Sequence, residues 1–351
     1  MSLPRRSRRT RKKQPFWADF SDGELLQVRL KDLKVAIPGT WIEDCLDRMH
    51  EELQDRNIVV RAHAWLSDEW FSPHDSPGIA VPFYLAHPRL MRLERKMVLE
   101  VEGGTVRECM RILRHEAGHV MQRAFGLHRR KRWRELFGRS SIPYPDHYRP
   151  NPTSRRYVQH LRRWYAQCHP DEDFAETFAV WLSPRSNWRK RYAEWPALQK
   201  LLYIDELMNE LAGIKPKLKP RIEIDPLSKL DMTLAEHYQD KRERYAVDAP
   251  SVFDRDLTRI FSDDPRHRDA PLASSFIRRN RSDIRRSGAR WTGEYPLALD
   301  AAIGGVMERA RVLKLRAPGS EQRMRLELTA LLSTKSVHSL YSASRRQSFA
   351  V

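Results

Sequence analysis

The 351 residues include 64 Lys and Arg against 46 Asp and Glu, a formal net charge of +18 that would attract nucleic acid, other polyanions or acidic proteins. A hydrophobic content of 40% can bury a core, which excludes a wholly disordered chain. Three cysteines without CxxC spacing exclude a disulfide framework, and the lack of about 18 consecutive apolar residues excludes a transmembrane segment, so we expect a cytoplasmic protein.

The N-terminal segment is a run of basic residues. Seven Arg and Lys fall between Arg5 and Lys13. Because like charges at this density repel each other, we expect residues 1–15 to be a disordered tail. Such a tail either aids solubility or contacts a polyanion such as nucleic acid.

A helix and several short strands are predicted next. Residues 39–57 read GTWIEDCLDRMHEELQDRN, with apolar side chains at the spacing of an amphipathic helix. The segments NIVVRAHAWL (57–66), GIAVPFYLA (78–86) and RKMVLEVEGG (95–104) are β-branched or alternating runs bounded by Pro, Gly and Asp. They predict the strands of a small sheet.

The following segment predicts a helix that carries HEAGH at residues 115–119. Thr105 and Glu108 form a T-x-x-E capping box ahead of it. Gly126 stands where a C-cap glycine is expected, and the residues between contain no proline. The motif therefore lies inside a helix.

Inside a helix, the HEAGH side chains have a defined arrangement. His115 and His119 leave the same face one turn apart, so both imidazoles can reach one ion. Glu116 projects beside them, where it could take a proton from water without binding the metal. This is the HExxH pattern of zinc peptidases.

A catalytic zinc site also needs a third protein ligand and an open position. The longer HExxHxxGxxH motif is excluded because Gln122 and Phe125 replace its glycine and last histidine. His128 lies beyond Gly126, where its spacing does not help. Zinc also accepts carboxylate oxygen, so we expect a glutamate on a second helix.

Residues 162–184, RRWYAQCHPDEDFAETFAVWLSP, predict that second helix. Pro170 suits its first turn, acidic residues suit its positive N-terminal end, and Pro184 stops it. Glu172 and Glu176 lie one turn apart on one face. We expect Glu172 to bind the metal and Glu176 to accept the other N–H of a ligating histidine. Were the helix rotated or begun later, other side chains could coordinate instead: Glu176, Asp171 or His169.

HEAGH followed by YAQCHPDEDFAETFA is similar to the gluzincin metallopeptidases, particularly the anthrax-lethal-factor type. It looks closest to the bacterial proteins called putative zinc-binding metallopeptidases, over about residues 98–182. In the lethal-factor pattern the ligand glutamate begins an E-x-F-A-E segment, which falls here on Glu172. A tyrosine seven residues earlier assists catalysis in that pattern, and it falls on Tyr165.

The resemblance implies a zinc-dependent peptidase that hydrolyses peptide bonds of a peptide or protein substrate. It implies one catalytic Zn²⁺ held by His115, His119 and Glu172, a metal-activated water with Glu116 as general base, and Tyr165 as a catalytic residue. Two alternatives stay open: a basic, nucleic-acid-associated protein that contains a zinc site, and a catalytically silent zinc-binding scaffold.

The rest of the chain sets the expected architecture. Residues 128–160 are basic, aromatic and rich in Pro, and predict an irregular loop, which either helps to shape the substrate cleft or is a plain insertion. Beyond residue 213, charged helical segments such as TLAEHYQDKRERYAV and LALDAAIGGVMERARVLKL prevail. We therefore expect an α+β fold with a zincin-like domain at 16–213, containing a small sheet and the two ligand helices. A mostly helical, basic accessory region should follow at 214–351, with a possible nucleic-acid contact.

Overall fold

A computed structural model describes residues 14–74, 76–145, 148, 150–216, 222–244 and 254–341. Nearly all of the basic tail expected at residues 1–15 lies outside the described residues. The strands are β1 (His63–Ser67) and β2 (Gly78–Pro82). The helices are α1 (Asp22–Leu26), α2 (Trp41–Gln54), α3 (Pro88–Val98), α4 (Val106–Phe125), α5 (Lys131–Phe137), α6 (Pro170–Leu182), α7 (Trp188–Arg191), α8 (Ala197–Glu210), α9 (Leu234–Arg244), α10 (Asp254–Ile260), α11 (Ala273–Thr292), α12 (Pro296–Val312) and α13 (Glu321–Tyr341).

The described residues are mostly helical with one two-stranded sheet, which confirms the α+β class. β1 and β2 are parallel, with His63 opposite Gly78. The connecting segment turns back along β2, because Phe71 forms an antiparallel bridge to Ala80. Two strands are not stable alone, and β2 is accordingly buried along its whole length. The predicted helix over 39–57 is confirmed as α2.

The strand predicted at residues 95–104 is wrong. The start of this segment is the end of α3, which stops at Leu99 in a left-handed conformation with φ 68°. α3 begins at Pro88, a residue suited to the first helical turn, and buries Leu90 and Leu93. α3 begins before this segment, and its apolar positions continue into residues 95–98. A short run of apolar and β-branched residues has the same pattern in the last turn of a helix as in a strand.

The segment 128–160 is only partly irregular. α5 occupies Lys131–Phe137 and buries Trp133 and Phe137, so the expectation of a loop is wrong for these residues. The prolines that suggested a loop all lie beyond α5, at positions 143, 145, 150 and 152. Among residues 138–161 the structure describes no regular helix or strand.

Buried hydrophobic side chains form two clusters. The first extends from Trp17 to Tyr238 and encloses α4 and α6. The second extends from Leu257 to Leu332 and is built by α10, α11, α12 and α13. Residues 227–238 pack in the first cluster although they follow the expected boundary at 213, and the division into domains stays a prediction.

The sequence predicts neither a disulfide framework nor a transmembrane segment. Cys45, Cys109 and Cys168 are buried and form no disulfide. Within the part of the chain that the structure describes, no helix combines the length and apolar character needed to cross a bilayer.

α4 and α6 approach each other closely at a glycine. α4 begins where the Thr105 hydroxyl accepts the N–H of Glu108, as predicted, and ends at Gly126 with φ 61°. A Cβ added to Gly118 would lie 2.7 Å from the Cα of Ala175 in α6. Only a residue without a side chain permits this distance, which holds the HEAGH turn directly against α6.

Replacing Gly118 by Ala should lower the free energy of unfolding by about 1–3 kcal/mol, because the backbone of α6 must move to admit the methyl group. Gly23→Ala is the matched control. No atom lies within 4 Å of a Cβ built there, in α1, so alanine's helix propensity should leave stability equal or raise it by up to about 1 kcal/mol. Denaturant unfolding of both variants measures the difference. Equal effects would contradict the packing argument.

Candidate metal centre

α4 places both histidines of the HEAGH motif in the interior. His115 and His119 are 2% and 7% exposed, and their Nε2 atoms lie 3.2 Å apart. The two rings are one turn apart and nearly perpendicular, at 76°. This is the shared face that their spacing predicts.

α6 brings a carboxylate to the same point. The helix starts at Pro170, where His169 Nδ1 accepts the N–H of Asp171, so Glu172 falls in the first turn and is fully buried. Glu172 Oε2 lies 3.0 Å from His115 Nε2 and 3.4 Å from His119 Nε2. Ligand atoms around a tetrahedral Zn²⁺ with bonds of about 2.0–2.1 Å are separated by about 3.3 Å. The three side chains therefore have the spacing of a zinc site.

The carboxylate of Glu172 gives a second test of fit. Its Oε2 atom is buried and, despite the nearby imidazoles, accepts no well-aligned hydrogen bond among the described residues. Such an atom is costly unless a cation or donor reaches it. Two imidazole nitrogens and one carboxylate oxygen are also a donor set of catalytic zinc sites. The residues present therefore fit a zinc ion.

Glu176 fixes the orientation of His115. Its Oε1 lies 2.9 Å from His115 Nδ1, and its Oε2 accepts the backbone N–H of Leu161 at 2.8 Å. With Nδ1 held by this carboxylate, Nε2 of the same ring faces Glu172. The contact is the one expected of Glu176 from its place one turn after Glu172.

The alternative ligands have other partners. Asp171 accepts hydrogen bonds from Gln122 Nε2 at 2.8 Å and Arg123 Nη2 at 2.6 Å. His169 caps α6 with one ring nitrogen, while the other lies 2.9 Å from the carbonyl of Ile142. Neither side chain belongs to the cluster of His115, His119 and Glu172.

The two carboxylates beside the histidines have lowered pKa values. Burial raises the pKa of Glu172, but His119 and His115 lower it by more, to well below its usual range. Burial likewise raises the pKa of Glu176, and its contact with His115 brings it below the usual value. Both carboxylates are thus ionised at neutral pH, the form that metal binding requires.

Glu116 lies beside the three candidate metal ligands and is not one of them. It is 6% exposed, and its Oε2 accepts a hydrogen bond from the Ser72 hydroxyl at 2.7 Å. Ser72 lies in the segment between β1 and β2, so the small sheet positions this carboxylate. No sequence motif marks Ser72, and the sequence analysis missed it.

Tyr165 lies beside His115. Its ring centre is 5.7 Å from that of His115, and burial raises the pKa of its hydroxyl well above the usual value. The group is therefore protonated at neutral pH and can donate a hydrogen bond. The two preceding residues, Arg163 and Trp164, are left-handed with φ 62° and 53°.

Tyr144 is a second tyrosine that the sequence analysis missed. Its hydroxyl donates to Glu172 Oε1 at 2.8 Å, and its ring stacks 3.8 Å from that of His169. Burial raises the pKa of this hydroxyl, which keeps it a donor. By occupying Oε1, Tyr144 leaves Oε2 facing the histidines. The aromatic content of segment 128–160 was the sole signal, and it does not single out one residue.

A cavity of about 470 Å³ opens beside the cluster. This volume lies in the range of ligand sites. The residues that line it include Ser72, Glu116, Tyr144, Tyr165 and, from the C-terminal region, Gly293 and Tyr295. The candidate ligands His115, His119 and Glu172 also line this cavity.

Tyr144→Phe should weaken zinc binding by about 10-fold or more while leaving one zinc per chain at saturation, since the substitution frees Glu172 to rotate. Competition with a chromophoric chelator measures the affinity. Tyr157→Phe is the control, because this tyrosine lies in the same segment but contacts Lys200. The zinc affinity of this variant should stay within about twofold of wild type. Equal weakening in both variants would show that Tyr144 has no special role.

Comparison with known proteins supports a metal site in this part of the chain. Residues 92–192 of the 351 match the family described as putative zinc-binding metallo-peptidase. The match runs from α3 to the end of α7 and includes both helices of the cluster. No curated protein and no solved structure shows a significant match. The segment that holds His115, His119 and Glu172 is thus similar to the family that carries this description.

Proposed function

We propose that this protein is a zinc-dependent peptidase that hydrolyses peptide bonds with Glu116 as general base. One observation carries the proposal: the ligand atoms of His115, His119 and Glu172 lie 3.0–3.4 Å apart, buried, at the wall of a cavity that Glu116 also lines. The similarity of residues 92–192 to zinc-binding metallopeptidases supports it independently.

Each catalytic residue would have a defined task. Zinc bound by the three ligands would supply a Lewis acid that polarises a carbonyl and lowers the pKa of water toward about 7. Glu116, held by Ser72 and outside the ligand triangle, accepts the proton of the attacking water. It then returns that proton to the leaving amine nitrogen.

Tyr165 would stabilise the transition state. Its hydroxyl keeps its proton at neutral pH, and the residue lines the cavity with its ring beside that of His115. From there it can donate a hydrogen bond to the oxygen of the scissile carbonyl as negative charge develops. Loss of one such donor typically costs about 10²–10³ in kcat.

A polyanion contact is a second candidate role, and it concerns the C-terminal helices. The net charge of +18 and a tryptophan 78% exposed at the end of α11, Trp291, favour it. Binding to DNA or RNA that weakens steeply with salt would support this role, and it is compatible with peptidase activity. A cytoplasmic location remains a prediction.

Metal content tests the site directly. Purified wild type should contain about one zinc per chain by mass spectrometry, and both His119→Ala and Glu172→Ala should lose it, because each removes a ligand. Circular dichroism checks that both variants fold. Zinc lost only from His119→Ala would move the third ligand away from Glu172, and a zinc-free wild type would contradict the metal site.

Glu116→Gln should lower hydrolysis of a fluorogenic peptide mixture by about 10³-fold or more and leave the zinc content unchanged, because the amide cannot accept a proton. Glu135→Gln, on the exposed side of α5, is the control and should behave as wild type. Retained activity in Glu116→Gln would contradict the mechanism. A zinc-loaded wild type without activity would instead favour the silent scaffold.

A further inference from the structure

Residues 293–295, in the C-terminal region, contact one arginine of the segment that contains Tyr165. Arg163 Nη2 donates to Glu294 Oε2 at 2.7 Å, and the two side chains are 7% and 5% exposed. Arg163 Nε donates to the carbonyl of Gly293 at 3.3 Å, and the guanidinium lies 4.2 Å from the centre of the Tyr295 ring. Three consecutive residues between α11 and α12 thus contact a single side chain that precedes Tyr165 by two positions.

The backbone at that arginine needs support from outside the segment. Arg163 and Trp164 are consecutive left-handed residues, a conformation that Cβ atoms disfavour. It persists where the surroundings hold it. The neighbouring Arg162 contacts Glu100 at 2.6 Å, but these side chains are 58% and 26% exposed, so that pair holds weakly.

The backbone of Glu294 is anchored by a hydrogen bond at the end of α11. α11 ends at Gly293 in a left-handed cap, and the N–H of Glu294 donates to the Thr292 hydroxyl at 3.1 Å. The Thr292 hydroxyl in turn donates to the carbonyl of Gly288 at 2.8 Å. The carboxylate of Glu294 therefore projects from the end of a helix that belongs to the second hydrophobic cluster.

The same connection contributes to the cavity. Gly293 and Tyr295 line it together with Tyr165 and Glu116. The contact between Arg163 and Glu294 therefore joins the second hydrophobic cluster to the cavity wall that includes Tyr165. Because both charges are buried, removing either one leaves the other without compensation. The segment then keeps only its remaining contacts, such as the Tyr148 hydroxyl that donates to the carbonyl of Arg163 at 3.0 Å.

We propose that Glu294 is a positioning residue: by holding Arg163 it keeps Tyr165 beside His115, so the C-terminal helices form part of the peptidase site. This inference rests on the proposed function for its catalytic consequence. Its structural part, the restraint of the segment around Tyr165, stands on the contacts alone.

The first experiment is a double-mutant cycle with Glu294→Gln, Tyr165→Phe and both together, each zinc-loaded. Glu294→Gln should lower kcat about 10-fold to 100-fold with KM within about twofold, since misplacement of a catalytic group lowers the rate of the chemical step. In the Tyr165→Phe background the same substitution should cost nothing further. Losses that multiply would overturn the proposal.

Asp300→Asn is the matched control for a general loss of stability. Asp300 accepts from Arg281 at 2.7 Å and Arg285 at 2.7 Å between α11 and α12, away from Arg163. This variant should keep the wild-type kcat. A loss of kcat equal to that of Glu294→Gln would reduce Glu294 to a structural role and overturn the proposal.

Hydrogen–deuterium exchange supplies a readout that needs no activity. In Glu294→Gln, amides of residues 161–167 should exchange at least about 10-fold faster, while those of α4 stay as in wild type. Unchanged exchange at 161–167 would overturn the proposal. An inactive, zinc-loaded wild type would refute the proposed function alone, because the exchange comparison still reports on the restraint. Should Glu294→Gln not fold, Arg163→Lys removes the Nε hydrogen bond to the carbonyl of Gly293 and is expected to give smaller changes of the same kind.

Discussion

The metal centre depends on the distance between α4 and α6. Helices usually pack with axes about 8–10 Å apart, set by the side chains between them. Here Gly118 meets the backbone of Ala175 so closely that a methyl group would stand 2.7 Å from a Cα atom. Since α4 carries the histidines and α6 carries Glu172, this contact determines the size of the ligand triangle. A wider spacing would leave the ligand atoms too far apart for bonds of about 2 Å to one ion.

α6 buries four carboxylates in a protein with a net charge of +18, and their surroundings differ. The four are Asp171, Glu172, Asp173 and Glu176. Arg123, Lys200 and His115 lie against three of them, so those charges are compensated within the protein. Glu172 lacks a well-aligned donor on one oxygen, although its place in the first helical turn gives some stabilisation. Asp173 also has one buried oxygen without a partner among the described residues, so Glu172 is distinguished by the two imidazole nitrogens that lie 3.0 and 3.4 Å from its Oε2.

Local patterns in the sequence predicted the two helices that matter. The capping box at Thr105, the glycine at 126 and the proline at 170 mark helix ends by interactions between near neighbours, and all three are found. The strand prediction over 95–104 failed because a short apolar run has the same local pattern in the last turn of a helix.

Contacts between distant parts of the chain could not be predicted in this way. Ser72 reaches Glu116, and Tyr144 reaches Glu172. Arg163 meets Glu294 across 131 positions. These pairings depend on how the chain folds back on itself, and neither periodicity nor composition encodes that. The three candidate metal ligands could be predicted because each helix presents its own ligands at a fixed spacing. Only the approach of the two helices toward each other had to be assumed.

The glycine contact also changes how the HExxH signature is understood in this protein. In the motif the two central positions are written as free, and a pattern search accepts any residue there. In this chain Ala117 is 1% exposed and Gly118 has no room for a Cβ, so neither position is free. The invariant residues of the motif determine its chemistry. The residues between them determine how closely a second helix can pack. A relative with a bulky residue at the second free position would need a different crossing of its two ligand helices.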